Sequence, residues 1–386
     1  MAIREDGAVV RRRFSFCIRF PRGEVTLQLT QEGKMEKLQV GVVGAAGYTG
    51  AELARILVSH PKLNLAWLSG HSTAGQRLVD VLPSLIGVPG LRDTQLEAFE
   101  DDRVPALAER LDVVFTALPH ATSARVGAAF LRAGVQVVDL SADYRLSDPA
   151  VYEEWYGAHP EKDLLREARY GLVEWHREEL FGARLIAAPG CYPTSAILAL
   201  GPLLRAGLIE PDGIIIDSKS GVSGAGRKPL PSTHLPECSE GMRPYKVAGT
   251  HRHTPEIEQE LSRIAGLPLR VLFTPQLAPM TRGILTCAYG RAKGATAEGC
   301  REAAREVYKS GLVSVLPDKM LPDTLWVRGS ARGLVAYEVD ERTNTVLAFC
   351  AIDNLAKGAS AQAVQALNVS RGWPEELGLP LAAQFP

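Results

Sequence analysis

Residues 40–53 read VGVVGAAGYTGAEL, and this short stretch decides the fold of the chain. Gly44, Gly47 and Gly50 follow a G-x-x-G-x-x-G spacing between an apolar run, typical of a buried strand, and the start of a helical pattern. Glycines at such a turn let a pyrophosphate approach the backbone, and the helix N-terminus offers its N–H groups to the anion. The stretch therefore predicts a dinucleotide-binding turn, with a plain tight turn as the alternative.

Short apolar runs and helical patterns alternate from this turn up to about residue 190. The predicted strands after the turn are LNLAWLS at 63–69, DVVFTAL at 112–118 and VQVVDLS at 135–141. AELARILVSH at 51–60 and ATSARVGAAFLRAG at 121–134 have helical spacing. Strands that alternate with helices indicate a parallel, doubly wound sheet, so we expect a Rossmann-like α/β domain.

The pattern changes after about residue 190. Strands are predicted in GIIIDSKSGVSGAG at 213–226, VLFTPQLAPMTRGILTCAYG at 271–290, TLWVRGSARGLVAYEVD at 324–340 and TVLAFCAID at 345–353. Helical stretches lie around 255–265 and 297–310, and a final helix spans 354–370. This indicates an α+β domain with a mostly antiparallel sheet that leaves one face exposed. We expect residues 35–190 and 355–386 to form a cofactor-binding domain and residues 191–354 to form the second domain.

The composition excludes several classes of protein. The 386 residues are 46% hydrophobic and 23% charged, with a formal net charge of −1 at pH 7. A nucleic-acid-binding protein usually carries a strong basic bias, which this sequence lacks. No apolar run approaches the ~18–20 residues that a membrane helix needs, so we expect no membrane partner. The six cysteines are scattered without a CxxC pair, so we expect no disulfide framework, no metal site and a reducing, cytoplasmic location.

The first 34 residues have a different composition. VVRRRFSFCIRFPRGEVTLQLTQEGK at 9–34 is rich in arginine and lacks the apolar core and cleavage site of a secretory signal. MEKLQVGVVG is a natural beginning for the first strand, and QEG before it back-translates to a purine run that resembles a ribosome-binding site. We hypothesise that translation starts at Met35, with a basic targeting arm as the alternative. In either case we expect residues 1–34 to lack a stable place in the fold.

Residues 188–196 read APGCYPTSA and place Cys191 where a helix is expected to begin. Gly190 allows a sharp turn, and Pro193 suits the first helical turn, where its missing N–H costs little. A free cysteine has a pKa of ~8.5 and is only a few per cent thiolate at neutral pH, but a helix N-terminus and a cationic neighbour lower that pKa. We therefore predict that Cys191 is a nucleophile. The alternative is a small buried hydrophobic side chain.

A nucleophilic cysteine needs a base within reach, and the segment AGTHRHTPEIEQEL offers two histidines. His251 and His253 flank Arg252 just before a predicted helix. We predict that His251 exchanges a proton with Cys191 or protonates the developing oxyanion, and that Glu256 orients the histidine. A purely structural histidine is the alternative.

Basic residues in glycine-rich or strand-end loops are candidate anion ligands. SKSGVSGAGRK at 218–228 is a loop rich in N–H groups that ends in Arg227 and Lys228. Arg145 lies in the loop after a predicted strand, at the sheet edge where such folds bind ligands, and Arg282 precedes a glycine. For each of these residues a solvated surface charge is the alternative.

The end of the second predicted strand of the parallel sheet bears on the choice of cofactor. A fold that prefers NAD usually has an acidic residue there, which binds the ribose 2′-OH. Here WLSGHSTAGQR is followed by an acid only at Asp80. Ser69, Ser72 and Thr73 offer hydroxyls for a 2′-phosphate, and Arg77 offers charge. The sequence therefore favours NADP, with a solvated loop as the alternative.

These motifs together resemble a known family. From Met35 onward the chain is similar to the N-acetyl-gamma-glutamyl-phosphate reductase family, NADPH-dependent enzymes of arginine biosynthesis. The resemblance covers nearly all of residues 36–386. It is carried by GVVGAAGYTGAEL, ALPHATS, DLSADYRL, APGCYPTSA, SGVSGAGRK, HRHTPEIEQ, MTRGIL and AIDNLAKGA. PGCYPT together with HRHTPEI is its most specific part.

The resemblance implies roles for individual residues. The family's nucleophile falls on Cys191, its active-site histidine on His251 and its arginine after SAD on Arg145. The implied substrate-binding residues are Arg145, Ser220, Arg252 and Glu256. The implied cofactor-binding residues are Gly44, Gly47, Tyr48, Thr49, Gly50, Ser69, Ser72, Pro119 and Asn354, the last of them close to the nicotinamide. Two segments depart from the family: SGHS stands where many members have a basic SRS-like segment, and KGASAQAVQALN replaces the commoner KGAAGQAVQN.

The resemblance also implies a reaction, the reductive dephosphorylation of a small acyl phosphate through a cysteine thioester, with NADP as cofactor. Catalysis and dimerisation would lie in residues 191–354 of a homodimer or homotetramer. Aspartate-semialdehyde dehydrogenase and the LysW-aminoadipyl-phosphate reductase of lysine biosynthesis run the same chemistry, and the intact SGVSGAGRK favours the arginine pathway. Two other classes stay open: a non-catalytic NADP-binding redox sensor, and a cysteine hydrolase, which leaves the glycine turn unexplained.

Overall fold

The computed structural model describes residues 14–20, 23–29, 37–309 and 311–385. Strands β1 (Phe14–Phe20) and β2 (Gly23–Leu29) pair antiparallel and form a two-stranded sheet of their own. We did not predict this hairpin, although FSFCIRF alternates large apolar residues with smaller or polar ones, as a strand does. The remainder of residues 1–34, for which we predicted no stable place in the fold, lies outside the described residues.

The next part of the chain builds a six-stranded parallel sheet. Its strands are β3 (Leu38–Val43), β4 (Leu63–Ser69), β5 (Val113–Thr116), β6 (Gln136–Asp139), β7 (Arg169–Tyr170) and β8 (Leu185–Ala187). Its helices are α1 (Tyr48–Leu57), α2 (Leu78–Val81), α3 (Val104–Ala108), α4 (Thr122–Arg132), α5 (Pro149–Tyr156) and α6 (Val173–Leu180). The strand order is β4-β3-β5-β6-β8-β7, and every pair is parallel, which confirms the Rossmann-like sheet.

Apolar side chains of the central strands fill a core on each face of this sheet. On one face Phe115 of β5 shares a core with Leu53 of α1. On the other face the neighbouring Val114 shares a core with Phe130 of α4. Successive residues of a strand point to opposite faces, so a continuous apolar run is the pattern of a strand buried on both sides. The sheet is therefore doubly wound, as predicted.

The second part of the chain forms a seven-stranded sheet with its own helices. Its strands are β9 (Ile214–Gly221), β10 (Arg243–Pro244), β11 (Val271–Ala278), β12 (Ile284–Arg291), β13 (Val313–Val315), β14 (Gly333–Asp340) and β15 (Thr345–Ile352). Its helices are α7 (Cys191–Arg205), α8 (Leu235–Cys238), α9 (Thr254–Ala265) and α10 (Ala297–Val307). The strand order is β10-β11-β9-β12-β15-β14-β13. Only the β11–β9 and β13–β14 pairs are parallel, which confirms a mostly antiparallel sheet.

Helices α7, α9 and α10 cover one face of this second sheet. Leu200 of α7 and Ile257 of α9 share a core there with Ile216 of β9. The opposite face is more open, because burial alternates along β12 and the side chains of Ile215 and Leu272 are exposed. An antiparallel sheet with one packed face gives this alternation.

The last described helix returns to the parallel sheet. A five-residue π-helical turn, Ala356–Ser360, leads into α11 (Ala361–Ser370). Val364 and Leu367 of α11 join the same core as Phe115, on the face that α1 also covers. The predicted helix over 354–370 is thus correct in place, but its first turn is wider than an α-helix.

Three further details differ from the sequence-based expectations. The segment at 271–290 is two strands, β11 and β12, joined by a turn. In the segment at 324–340 only β14 is a strand, because Thr324–Trp326 forms a 3₁₀ turn. The short strands β7, β8, β10 and β13 were not predicted, because two or three residues are too few to show a period.

Candidate active site

The glycine turn follows β3, and at two of its three glycines, Gly44 and Gly50, no other residue would fit. Gly44 has a φ of +89°, and a Cβ there would lie 2.5 Å from the carbonyl oxygen of Ala117. A Cβ on Gly50 would collide with the carbonyl oxygen of Gly44. The Gly44 N–H donates to Ser69 Oγ over 3.4 Å, so the buried hydroxyl at the end of β4 supports the turn. The turn therefore needs Gly44 and Gly50 for its geometry before any ligand binds.

A cleft of about 270 Å³ lies between the glycine turn, the start of α7 and the loop after β9. Gly47, Tyr48, Thr49 and Gly50 line one side of it. No described side chain caps the first turn of α1, so its N–H groups remain available to an anion. A Cβ on Gly47 would fill open space, since its nearest contact would be 3.8 Å away. These residues fit the pyrophosphate of a dinucleotide.

Cys191 lies in the cleft as the first residue of α7. The preceding Gly190 is the N-cap, with an extended backbone of φ −69° and ψ 154°. A Cβ on Gly190 would lie 2.6 Å from His253 Nε2 and 3.0 Å from Arg145 Nη1. Glycine before the cysteine is what lets a histidine and an arginine approach this turn. The predicted helix start at Cys191 is confirmed.

The thiol of Cys191 does not have the lowered pKa that its helix position predicted. Burial raises the pKa of Cys191 to about 11. The charge of Arg145 and the backbone N–H groups at the helix start act in the opposite direction, but their effect is smaller. The expectation of a thiolate in the ligand-free chain is therefore wrong, because loss of water outweighs the local dipole and the cation.

Glu256 holds the turn before the cysteine. Its Oε1 accepts hydrogen bonds from the Gly190 N–H and the Tyr170 hydroxyl, both over 2.8 Å. Its Oε2 accepts from Arg145 Nη1 over 3.4 Å. We predicted that Glu256 orients His251, but its described partners are these three groups. The carboxylate is buried and anchors the N-cap of α7 instead.

Arg145 lines the cleft, and two backbone carbonyls hold its guanidinium in place. Its Nε donates to the Ala188 carbonyl over 2.7 Å, and its Nη2 donates to the Leu140 carbonyl over 2.9 Å. Both carbonyls follow parallel strands, at the edge where we predicted Arg145. The Nη1 side faces Gly190 and lines the cleft. A guanidinium held in this way can bind a carboxylate or a phosphate.

The two histidines occupy different environments. His253 lines the cleft, whereas His251 packs among the rings of Tyr192, Tyr245 and Phe273. The backbone N–H of His253 donates to His251 Nδ1 over 3.0 Å, so the His251 ring supports the backbone that carries His253. Burial lowers the pKa of His251 to about 4 and lowers that of His253 well below its usual value. His253 thus lines the same cleft as Cys191, whereas His251, which the sequence favoured for proton exchange, does not line it.

Asn354 lines the cleft opposite the glycine turn. Its Oδ1 accepts from the Gly283 N–H over 2.8 Å, and its Nδ2 donates to Ser223 Oγ over 3.0 Å. Ser223 and Arg227 of the loop after β9 also line the cleft. Arg227 crosses to the first domain, where it donates to the Ala46 carbonyl over 2.9 Å.

Other predicted site residues lie away from the cleft. Ser220 is buried within β9, and the Arg252 guanidinium lies 5.2 Å from the Tyr156 ring. Ser72 and Pro119 are exposed and do not line the cleft. Arg77 pairs with Asp80, while Arg282 pairs with Glu52 and Asp353. Sequence reasoning missed Ser223 and Gly358 as lining residues; the quoted SGVSGAG loop is the one signal that pointed near Ser223.

Within residues 37–309 and 311–385, no group of three or more His, Cys, Asp or Glu side chains is placed to hold a metal ion. None of the described helices is long and apolar enough to cross a membrane.

Two family models match the two parts of the chain. The NAD binding domain of semialdehyde dehydrogenase matches residues 39–183, and the semialdehyde dehydrogenase dimerisation domain matches residues 191–354. The fold and the cysteine-centred cleft thus define an oxidoreductase of the semialdehyde dehydrogenase class, with an NAD(P)-binding Rossmann domain.

The similar proteins narrow this class. The N-acetyl-gamma-glutamyl-phosphate reductase of Geobacter sp. (strain M21) is 48% identical over 351 residues, which are 90% of this chain and 100% of the relative. The reductase of the same name from Geobacter sulfurreducens is 49% identical over 352 residues, with the same coverage. The chain belongs to the N-acetyl-gamma-glutamyl-phosphate reductase family of enzymes, which confirms the resemblance seen in the sequence.

Solved structures support the fold. Aspartate semialdehyde dehydrogenase II complexed with ASA from Vibrio cholerae has a TM-score of 0.66 at 16% identity, over 86% of this chain and 98% of that one. Aspartate semialdehyde dehydrogenase with NADP from Candida albicans has a TM-score of 0.61 at 17% identity, with the same coverage. At these identities the likeness concerns the fold alone.

Proposed function

We propose that this chain catalyses the NADPH-dependent reductive dephosphorylation of N-acetyl-gamma-glutamyl phosphate to N-acetyl-L-glutamate 5-semialdehyde, in L-arginine biosynthesis. The observation that carries the proposal is the cleft in which Cys191, His253 and Arg145 face the glycine turn. The names of the relatives at 46–49% identity support the substrate. The cleft supports the chemistry, because it places a thiol, a neutral base and a fixed cation beside a dinucleotide turn.

Cys191 is the nucleophile in the proposed reaction. Its sulfur attacks the acyl phosphate carbonyl, a C–S bond forms and the C–O bond to phosphate breaks, so that phosphate leaves and a thioester remains. His253 accepts the thiol proton: burial lowers the pKa of His253 and keeps its imidazole neutral, so one ring nitrogen has a lone pair for the proton. This transfer is needed because burial keeps the thiol protonated in the ligand-free chain.

The second half of the reaction reduces the thioester. When bound, the nicotinamide supplies the hydride for this reduction. Collapse of the thiohemiacetal on Cys191 breaks the C–S bond, releases the aldehyde and returns the thiolate. Backbone N–H groups at the start of α7, which no described side chain caps, stabilise the oxyanion. Loss of one such donor typically costs about 3–4 kcal/mol in the barrier.

Residues from both domains hold the reactants in the proposed complex. Arg145 binds an anionic group of the substrate, either the phosphate or a carboxylate. Gly47 and the first turn of α1 bind the pyrophosphate of the cofactor, and Asn354 lies against its nicotinamide. We propose NADP rather than NAD, because no acid follows β4 before Asp80. Arg77 is already paired with Asp80, so the exposed Ser72 after β4 is the better candidate for the 2′-phosphate.

The match to a dimerisation domain supports an assembly of like chains, and we propose a homodimer or a homotetramer. We place the enzyme in the cytoplasm, where its thiol would stay reduced. Residues 35–190 with 355–386 are the proposed cofactor domain, and residues 191–354 the proposed catalytic and dimerisation domain.

The reverse reaction tests the proposal. The full chain is mixed with NADP, phosphate and one of three semialdehydes, those of N-acetylglutamate, aspartate and LysW-linked aminoadipate, and NADPH formation is followed by absorbance. We expect phosphate-dependent turnover with the N-acetylglutamate compound at a kcat/KM at least about 100 times that of the others, roughly 2.7 kcal/mol of discrimination. Preference for another semialdehyde would assign one of the alternative acyl phosphates.

A matched variant separates catalysis from cofactor binding. Cys191→Ser is expected to lose turnover and to retain NADPH binding, because the glycine turn lies on the other domain. A chain that binds NADP but turns over none of the three semialdehydes would be a sensor, and the proposed function would be wrong. Equal kcat/KM values with NADP and NAD would contradict the cofactor assignment.

A further inference from the structure

The π-helical turn Ala356–Ser360 lies between Asn354 and α11. The Gly358 N–H donates to the Asp353 carbonyl over 2.8 Å, and the Ser360 N–H donates to the Leu355 carbonyl over 2.9 Å. Both bonds span five residues, one more than in an α-helix. Single π turns of this kind are frequent at functional sites. The extra residue widens the backbone where it meets the cleft.

Gly358 brings this widened backbone against the nucleophile. A Cβ at position 358 would lie 2.8 Å from the Cβ of Cys191 and 3.3 Å from its Cα. It would also lie 3.2 Å from the Asp353 carbonyl oxygen. Gly358 and Ala359 both line the cleft. Only a residue without a side chain lets the turn contact Cys191 in this way.

A buried ion pair, Lys357–Glu174, joins the π-helical turn to α6. The side chain of Lys357 is fully buried, and its Nζ donates to Glu174 Oε1 over 2.6 Å and to Gln365 Oε1 over 2.7 Å. The Glu174 side chain is only 1% exposed. A buried pair of this kind adds little net stability compared with apolar packing. This pair, whose lysine lies within the turn, is therefore a candidate for holding the turn in place.

Two further hydrogen bonds connect the turn and α11 to the helices that carry the site. Ser360 Oγ donates to the Thr49 carbonyl over 2.9 Å, in the first turn of α1. Gln362 Nε2 donates to Thr194 Oγ1 over 2.9 Å, in the first turn of α7. The same short segment thus contacts the cofactor helix, the nucleophile helix and the nucleophile itself.

We propose that the π-helical turn is a positioning element for the reaction. Gly358 fixes Cys191 relative to the first turn of α1, and the Lys357–Glu174 pair fixes the turn. The inference rests on the proposed function in taking Cys191 as the nucleophile. Gly358, Lys357 and Glu174 are positioning residues, which act through Cys191.

The first test is Gly358→Ala, with Gly311→Ala as the matched control, because a Cβ at position 311 would meet no atom within 4 Å. We expect kcat to fall about 100-fold in Gly358→Ala, the order of loss caused by a misplacement of about 1 Å. Alkylation of Cys191 by iodoacetamide should slow at least about tenfold across the pH range, and KM should change by less. Gly311→Ala should match the wild type in all three measurements.

The second test removes the buried pair without leaving a lone charge. Lys357→Met with Glu174→Gln avoids the unpaired carboxylate that the single lysine variant would bury. We expect the double variant to melt close to the wild-type temperature, with kcat reduced about tenfold or more and Cys191 alkylation slowed. Wild-type kcat and alkylation in this variant would overturn the role of the pair.

The alkylation measurement needs neither substrate nor cofactor, so it tests the positioning role of the π-helical turn separately from the proposed function. Slow alkylation in Gly358→Ala, combined with a wild type that reduces no acyl phosphate, would sink the proposed function and leave the positioning role intact. Unchanged alkylation and unchanged kcat in Gly358→Ala would overturn the positioning role whatever the substrate proves to be.

Discussion

Cys191 is subject to two opposing influences at the scale of the single residue. Arg145 and the start of α7 stabilise a thiolate, whereas burial disfavours it and raises the pKa of Cys191 to about 11. An isolated cysteine would have a pKa of ~8.5. We therefore expect Cys191 to be a thiol in the ligand-free site, so that the proposed reaction begins with a proton transfer.

This balance predicts the pH dependence of Cys191 alkylation in the ligand-free chain. The rate should rise by about tenfold for each pH unit from pH 7 to pH 9.5, because only the thiolate reacts and its fraction keeps growing below the raised pKa. Mass spectrometry of the Cys191 peptide after timed exposure to iodoacetamide measures the rate. Arg145→Gln should slow alkylation at every pH, since it removes the nearby cation. A plateau below pH 9 in the wild type would contradict the raised pKa.

The two histidines give a second prediction at this scale. His253→Gln should lower kcat by about 100-fold or more, as expected for loss of a general acid and base. His251→Asn should lower kcat much less, because the Asn Oδ1 can still accept the hydrogen bond from the backbone N–H of His253. Steady-state kinetics of both variants at pH 7 decide between them. A larger loss of kcat in His251→Asn than in His253→Gln would assign the proton transfer to His251, the residue that the sequence favoured.

At the scale of the element, α1 is joined to the second domain by an arginine. Arg282, in the turn between β11 and β12, pairs with Glu52 of α1 over 3.0 Å and with Asp353 over 2.8 Å. Burial alone would raise the pKa of Glu52, but hydrogen bonds and charge from Arg55 and Arg282 lower it below the usual value. Helix α1, which follows the glycine turn, is thus linked to the second sheet through Arg282.

Arg282→Met should lower the free energy of unfolding by about 3–5 kcal/mol, because two buried carboxylates lose a partner. Urea denaturation of the variant measures the loss. Arg342→Met is the control, since its pair with Asp340 is exposed and worth about 1 kcal/mol or less.

The same network predicts a pH dependence. A carboxyl group whose pKa is lower in the folded chain than in the unfolded chain stabilises the fold at pH values above its unfolded-state pKa. This contribution is lost as pH falls through the folded-state pKa. In the wild type the contribution of Glu52 is therefore lost as pH falls below about 4.5, the ordinary pKa of a glutamate. In Arg282→Met we expect this contribution to be smaller, because one of the two arginines that lower the pKa of Glu52 is gone. A difference under about 1 kcal/mol between the variants would contradict the network.

Elements that are marked by a long apolar run, or by a glycine next to their end, were predictable from the sequence. The segment at 63–69 is β4 from end to end, because its apolar run stops at a glycine. The start of α7 at Cys191 was predictable for the same reason, since Gly190 marks it locally. The π-helical turn had no local signal, because its width depends on contact with Cys191. The choice between His251 and His253 depends on the rings that enclose His251, and only the folded chain brings those together.

At the scale of the whole molecule, the cleft draws its residues from both domains. The parallel sheet supplies the glycine turn and Arg145, and the second domain supplies His253 and Ser223. Composition and periodicity were sufficient to predict the two sheets and their types. They were not sufficient for the thiol pKa, because burial is a property of the assembled chain.

The amino-terminal hairpin gives a prediction at the same scale. β1 and β2 pair with each other and with no other described strand. A chain of residues 35–386 should therefore keep kcat within about twofold, less than 0.5 kcal/mol in the barrier. Its melting temperature should stay within about 2 °C of the full chain, which for domains of this size corresponds to about 1 kcal/mol or less. Kinetics and calorimetry on both chains provide the comparison. A clear loss in the shortened chain would mean that the hairpin contributes to the enzyme.

Helix α11 also affects how the chain folds during synthesis. It covers a face of the parallel sheet whose last strand, β8, ends about 170 residues earlier. At roughly 5–20 residues per second, a ribosome needs about 10–35 s to make the intervening chain. Throughout that interval the nascent sheet presents Phe115 and Val138 on a face that α11 does not yet cover. The newly made domain thus offers a chaperone an apolar surface until the second domain has left the ribosome.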